Sequence, residues 1–132
     1  MKIIDGKDIA MGRLASFTAK ELLKGEDIII LNCSKIIITG NKKNIQEEFL
    51  QKRSRIGSSQ KGPKHSRLNY KIVKRTIRGM LPDYREGRGR IAWKKLRCYD
   101  NIPKEFEGKK FFGMKKEIKP KYIEVEKLSK FN

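Results

Sequence analysis

The most continuous apolar run in the chain is Ile28, Ile29, Ile30 and Leu31, bounded by Asp27 and by the small polar patch Asn32, Cys33 and Ser34. A run with no polar face is the pattern of a strand covered on both sides of a sheet, because a half-exposed strand alternates. A buried helix fits less well, since the run is short, β-branched and without spacing of three and four. It is also too short to cross a membrane. A second branched run, Ile36, Ile37, Ile38 and Thr39, ends at the turn-favouring pair Gly40-Asn41. Both runs need helices as cover, so the pattern predicts an α/β domain with a small, mainly parallel sheet.

Around these runs the periodicity changes in order. Lys2 to Gly6 reads as a short strand ending in an Asp-Gly turn. Met11, Leu14, Ala15, Thr18, Ala19, Leu22 and Leu23 recur at helical spacing, with Gly25 placed to terminate and Asp8 as the expected cap. Strand, helix and the run of residues 28 to 33 form a βαβ unit with a right-handed crossover. Asn44 to Arg53 reads as a second helix with Asn44 as its cap. Arg55 to Ser66 has no apolar periodicity and reads as a loop that orders on binding. Leu68 to Leu81 returns to helical spacing through Leu68, Ile72, Ile77 and Met80 or Leu81, with Lys71, Lys74, Arg75 and Arg78 on a broad basic face. Gly79, Met80, Leu81 and Pro82 then form a corner, with Gly79 expected in the left-handed conformation and Met80 and Leu81 plugging the core beneath Trp93. Tyr84 to Arg90 reads as a basic loop, Ile91 to Leu96 as a short helix, and Leu96 to Tyr99 as the last strand. Beyond Pro103 the tail, with a short helix near Glu126 to Lys130, is expected to wrap the domain or a partner. This gives a domain over residues 1–106 and an extension over 107–132.

Charge sharpens this picture more than length does. The 132 residues carry a formal charge of +18. Residues 52 to 97 hold sixteen basic groups against only Asp83 and Glu86, and so contribute +14 of it. A merely solvated face interleaves both signs, whereas one sign running unopposed destabilises the free protein and calls for a polyanion.

Candidate chemistry is sparse by contrast. Cys33 and Cys98 lie far apart without a CxxC pair, and no signal peptide or long apolar segment precedes them, so the chain reads as a soluble protein of a reducing, intracellular compartment. Cys33 reads as a small core residue. His65 is the only histidine, which argues against a metal site. Gly57-Ser58-Ser59-Gln60-Lys61-Gly62 has Walker-like glycine spacing, yet Pro63 stands where the lysine belongs and Lys64 where the magnesium-holding hydroxyl belongs. Gly87-Arg88-Gly89 is only half of a dinucleotide fingerprint and follows no buried strand. Neither a carboxylate pair nor a nucleophile elbow is present, so an enzyme, a cofactor and a small-molecule substrate are not expected.

The basic segments read instead as an RNA surface. Lysine and arginine neutralise phosphates and release counterions, guanidinium groups stack on unpaired bases, and glycine lets backbone amides approach the sugar-phosphate chain. The candidate contacts are Lys52, Arg53, Arg55, Lys61, Lys64, Arg67, Lys71, Lys74, Arg75, Arg78, Arg85, Arg88, Arg90, Lys94 and Lys95. An RNA-binding regulator of translation would use the same residues.

Several phrases taken together resemble a known family: Met11-Gly12-Arg13-Leu14-Ala15, Leu31-Asn32-Cys33, Ile38-Thr39-Gly40-Asn41-Lys42, Arg75-Thr76-Ile77-Arg78-Gly79-Met80-Leu81-Pro82 and Leu96-Arg97-Cys98-Tyr99. In order and spacing they are similar to the universal large-subunit ribosomal protein L13 family in its archaeal and eukaryotic form, over roughly residues 2 to 106. The resemblance implies a three-layer α/β/α domain with a four-stranded parallel sheet. It also implies a structural, non-enzymatic role in the cytoplasmic ribosome, bound to large-subunit ribosomal RNA beside neighbouring ribosomal proteins and away from any membrane.

Overall fold

In the computed structural model, which describes residues 1–55, 64–114, 116 and 119–130, Ile28–Leu31 is a strand (β2) with all four residues buried. It lies between Lys2–Asp5 (β1) and Leu96–Cys98 (β4) in a parallel sheet of order β1-β2-β4. Ile3 is level with Ile29, Ile4 with Ile30, and Ile30 with Cys98. Side chains alternate between faces in such a register, and the core divides accordingly. Ile4, Ile28, Ile30, Leu96 and Cys98 join one apolar cluster, whereas Ile3, Ile29 and Leu31 join another with Phe106.

The first face is covered by helices. Met11–Leu23 (α1) buries Leu14, Ala15, Thr18, Ala19 and Leu22, Asn69–Met80 (α3) buries Val73 and Ile77, and Gly87–Trp93 (α4) adds Ala92. These belong to the same cluster, apart from Thr18, as expected for apolar stripes laid on a sheet. The second face is covered by the segment after β4, through Tyr99, Ile102, Phe106 and Phe111. The architecture is therefore mixed α/β with a small, mostly parallel sheet.

Several local expectations are corrected. The run Ile37–Thr39 (β3) does not join the parallel sheet of the βαβ unit. It pairs antiparallel with Tyr122–Glu124 (β5), in a separate two-stranded sheet. Asn32 explains this divergence: it stands at φ 56°, in the left-handed region, and a 3-10 turn over Cys33–Lys35 follows, so the chain leaves the sheet at once. Among the described residues the parallel sheet thus has three strands, where the resemblance implied four between two helical layers. Asp8 does not cap α1. It takes φ 62°, and Ala10 occupies the cap position without a side-chain hydrogen bond. The helix Lys42–Ser54 (α2) begins earlier than expected, capped by Asn41, whose side chain accepts from the Lys43 N–H at 3.0 Å, and not by Asn44.

The tail returns to the body. Ile38 of β3 is level with Ile123 of β5, and Val125–Ser129 (α5) follows directly, with Ile123, Val125 and Leu128 buried. Phe112 makes an isolated parallel bridge to Ile4 and stacks on Phe17 with ring centroids 5.2 Å apart. No helix among the described residues is long and apolar enough to cross a membrane. The expected loop Arg55 to Ser66 falls mostly outside the described residues, and Lys61 lies wholly outside them.

Candidate nucleic-acid interface

The basic face is built on α3. Val73 and Ile77 fix the helix to the core from beneath, which leaves Lys71, Lys74, Arg75 and Arg78 on its outer side. The start of α3 is tied to the end of the sheet, since the Tyr70 N–H donates to Asp100 Oδ1 at 3.0 Å. Ser34 Oγ donates to the Asp100 carbonyl at 3.0 Å, so the loop after β2 and the loop after β4 support the same point.

At its other end α3 runs into the corner, which differs in detail from the sequence reading. Gly79 lies inside the helix, not at a left-handed terminus, and a Cβ there would meet open space. Met80 is exposed rather than plugged into the core; Leu81 alone of the two is buried. Leu81 is extended at φ −92° and ψ 156°, the conformation a following proline imposes. The glycine that matters is Gly89, where a Cβ would strike the carbonyl groups of Pro82 and Asp83. Gly89 belongs to α4, so four of the seven residues of the expected Tyr84 to Arg90 loop are helical, and they are locked against the turn.

This locking places aromatic rings among the cations. The Arg78 guanidinium lies 4.5 Å from the Tyr84 ring centre and that of Arg85 lies 5.4 Å from it. Arg85 also donates through Nε to Tyr84 Oη at 3.3 Å and through its backbone N–H to Asp83 Oδ1 at 3.0 Å. Tyr84 meets Trp93 edge-on at 6.4 Å, and Lys74 Nζ sits 5.0 Å from the Trp93 ring centre. Ring quadrupoles attract these cations and hold them in one orientation. The hydrogen bond from Arg85 and its charge hold the Tyr84 phenol below its ordinary range. Neither Tyr84 nor Trp93 was singled out as a site residue from the sequence. The signal that would have found them is the interleaving of basic and aromatic residues between 74 and 93.

Beside the corner lies a cleft of about 360 Å³ lined by Lys64, Ser66, Tyr70, Lys74, Arg78 and Trp93, among others. Lys71 and Arg75, one helical turn apart, form its far wall and also wall a second groove of about 460 Å³ between α2 and α3. Arg75 Nη1 donates to the Lys64 carbonyl at 3.3 Å and Arg53 Nε to the His65 carbonyl at 3.2 Å, so two of the candidate arginines brace the chain entering α3. His65 is held below its ordinary value by burial and then by the charges of Arg75, Lys52, Arg55 and Arg78.

The remaining candidates surround this centre unevenly. Lys52, Arg55, Arg67, Arg85, Arg88, Arg90 and Lys94 are exposed. Lys95 points elsewhere, with Nζ donating to the Gly25 carbonyl at 3.1 Å beyond the end of α1. Ion pairs between described residues join Met1 to Glu26, Lys2 and Lys24 to Glu21, and Lys130 to Glu126; none uses a cation of residues 52–97. Among the described residues the positive charge there is left without ion-pair partners. Cys33 is buried, and its thiol is pushed up by contact with the Cys98 side chain and by burial, which leaves an unreactive core group. No group of three or more potential metal ligands occurs among the described residues.

Comparison with known proteins identifies the relatives of this chain. The family model described as Ribosomal protein L13 matches residues 1–105. A large ribosomal subunit protein uL13 of Methanosphaera stadtmanae is 44% identical over 124 residues, covering 92% of this chain and 86% of that protein. The uL13 of Archaeoglobus fulgidus is 43% identical over 109 residues, covering 83% of this chain and 69% of that protein. The uL13 of Methanopyrus kandleri is 48% identical over 105 residues, covering 80% and 65% respectively.

Proposed function

Because the chain belongs to the ribosomal protein L13 family, we propose that it is a structural constituent of the large ribosomal subunit, bound to large-subunit ribosomal RNA in the cytoplasm and contacting neighbouring ribosomal proteins. The observation that carries the reading is the α3–α4 corner, where unopposed cations are oriented by aromatic rings on a backbone locked through Gly89. Such an array is preorganised, which lowers the ordering cost of binding. The contacts are Lys52, Arg53, Arg55, Lys61, Lys64, Arg67, Lys71, Lys74, Arg75, Arg78, Arg85, Arg88, Arg90 and Lys94. Lys95 serves more as a clasp on α1 than as a contact. We read its role as structural rather than catalytic, which membership of a ribosomal protein family supports.

Residues 1–106 form the RNA-binding domain and 107–132 an extension laid back on it, a reading supported by the β3–β5 pairing and the buried Val125 and Leu128. The Ile4–Phe112 bridge supports a fourth, outermost parallel position beside β1, with the extension taking the place of the second helical layer.

Filter binding to large-subunit ribosomal RNA tests the reading. If about six phosphates are neutralised, affinity falls by roughly a thousandfold between about 50 and 200 mM salt. Arg78→Ala weakens binding at every salt concentration while the thermal midpoint stays close to wild type. A response flat in salt, or an Arg78→Ala protein that binds as wild type does, overturns it.

A further inference from the structure

The groove between α2 and α3 differs in kind from the cleft next to it. Its floor and walls are largely apolar, with Met11 and Ile72 on one side, Ile45 and Phe49 on the other, and Ile38 and Leu128 lining it too. Its size lies within the roughly 300–1,000 Å³ of small-ligand pockets. The cations Lys52, Lys71 and Arg75 line it as well, and Glu48 is the one acidic residue lining it among the described residues. Lys71 and Arg75 are shared with the basic cleft, so an α3 ridge one helical turn long separates a basic cleft from an apolar groove.

We propose that this groove receives a single unpaired nucleobase turned out of the bound RNA, stacked on Phe49, with its flanking phosphates held on the Lys71–Arg75 ridge. The inference rests on the RNA-binding reading and adds the feature of the RNA that is read. Charge complementarity selects the occupant. Three cations in the walls suit a chain with a charge at every residue, and apolar walls suit what such a chain carries between its charges, a flat ring. Glu48 adds a preference. Its carboxylate accepts from the amino groups of adenine, cytosine or guanine, whereas the N3–H of uracil is flanked by two carbonyl oxygens that a carboxylate repels. Thr76 Oγ1 is occupied already, donating to the Ile72 carbonyl at 3.2 Å within the helix.

The test uses the full chain and heptamers of uridine whose central nucleotide is adenosine, cytidine, uridine or an abasic ribose. Adenosine and cytidine at the centre are expected to bind more tightly than uridine or the abasic ribose. Phe49→Leu, which keeps an apolar side chain but removes the ring, is expected to cost the adenosine heptamer about five- to a hundredfold, the range for one stacked base, and to leave the abasic heptamer unchanged. Glu48→Gln, at an exposed position whose change leaves folding intact, is expected to narrow the gap between cytidine and uridine, because an amide both donates and accepts. Equal losses for the adenosine and abasic heptamers, or no loss for either, overturn the proposal. So does a helical peptide of leucine and glutamate that occupies the groove without competing with the adenosine heptamer, since it assigns the groove to a protein. Salt-dependent binding that ignores the central base removes the groove proposal and leaves the RNA-binding reading standing. Absence of binding to every heptamer and to ribosomal RNA removes both.

Discussion

The helices α1 and α2 are each thirteen residues long, yet they are held by different physics. Six residues of α1 are buried, against none of α2. Helix α1 is bound to the sheet by apolar area, at roughly 25 cal/mol for each Å² removed from water. Helix α2 relies on intrinsic propensity, the Asn41 cap and one wall of a groove. The charge follows the same division: Glu21 of α1 pairs with Lys2 and Lys24, whereas Lys52 at the end of α2 is one of four cations that act on His65. One half of the molecule is finished by its own apolar core, and the other half presents the cations that we assign to RNA.

The largest expected effect lies in the finished half. Ile30 is fully buried in the central strand, so Ile30→Ala removes core atoms and leaves a cavity costing about 2–5 kcal/mol. Leu50, 40% exposed on α2, stands in contrast, and Leu50→Ala costs within about 0.5 kcal/mol. Urea denaturation of the two variants decides the matter; equal losses break the comparison.

The next effect lies on the border between the halves. Gly89→Ala sets a methyl group against the carbonyls of Pro82 and Asp83, and backbone cannot move aside as a side-chain end does. The expected cost is about 1–3 kcal/mol, the range of overpacked sites, together with weakened RNA binding as the corner shifts. A Gly89→Ala protein with the wild-type thermal midpoint and wild-type RNA affinity shows that the corner is not rigid.

What was legible in the sequence follows the same border. The buried run 28–31, the stripe of α1, the helix 69–80 and the short terminal helix are set by local periodicity, and periodicity is visible in a linear chain. The partner of Ile37–Thr39 was not visible, because Tyr122–Glu124 is some eighty residues away and strand pairing carries no local signature. Asp8 and Asn44 both have the chemistry of a cap, and only backbone angles show that Ala10 and Asn41 hold those places. Charge density marked the candidate interface, but not its rings. Tyr84 and Trp93 are set by a turn whose geometry depends on Gly89 and not on Gly79.

That correction at Gly79 yields a smaller effect of opposite sign. The glycine is helical and its missing Cβ would meet nothing, so Gly79→Ala removes backbone freedom from the unfolded chain without strain. The expected gain is about 0.8–1 kcal/mol, with RNA affinity unchanged. A destabilised Gly79→Ala protein in thermal melting restores the left-handed reading of the corner.

The smallest effect belongs to His65, the chain's single histidine, which lines the groove between α2 and α3. Burial, and then Arg75, Lys52, Arg55 and Arg78, hold its value in the folded protein below the ordinary 6.5. The unfolded chain therefore takes up the proton first. Stability is complete above that ordinary value and declines as pH falls through it toward the folded value. RNA reverses the sign. Phosphates on the same four cations cancel the charge that disfavours the imidazolium, so the bound complex holds the proton more tightly than the free protein does. RNA affinity then rises as pH falls below the ordinary 6.5, over the window in which the folded state alone is weakening. Proton NMR of the His65 imidazole, followed with and without ribosomal RNA, reads the change directly, and His65→Gln flattens both pH profiles. An imidazole that titrates identically in the free and bound protein means that the phosphates do not reach the cations around His65. The RNA contact would then be confined to the α3–α4 corner, with α2 outside it.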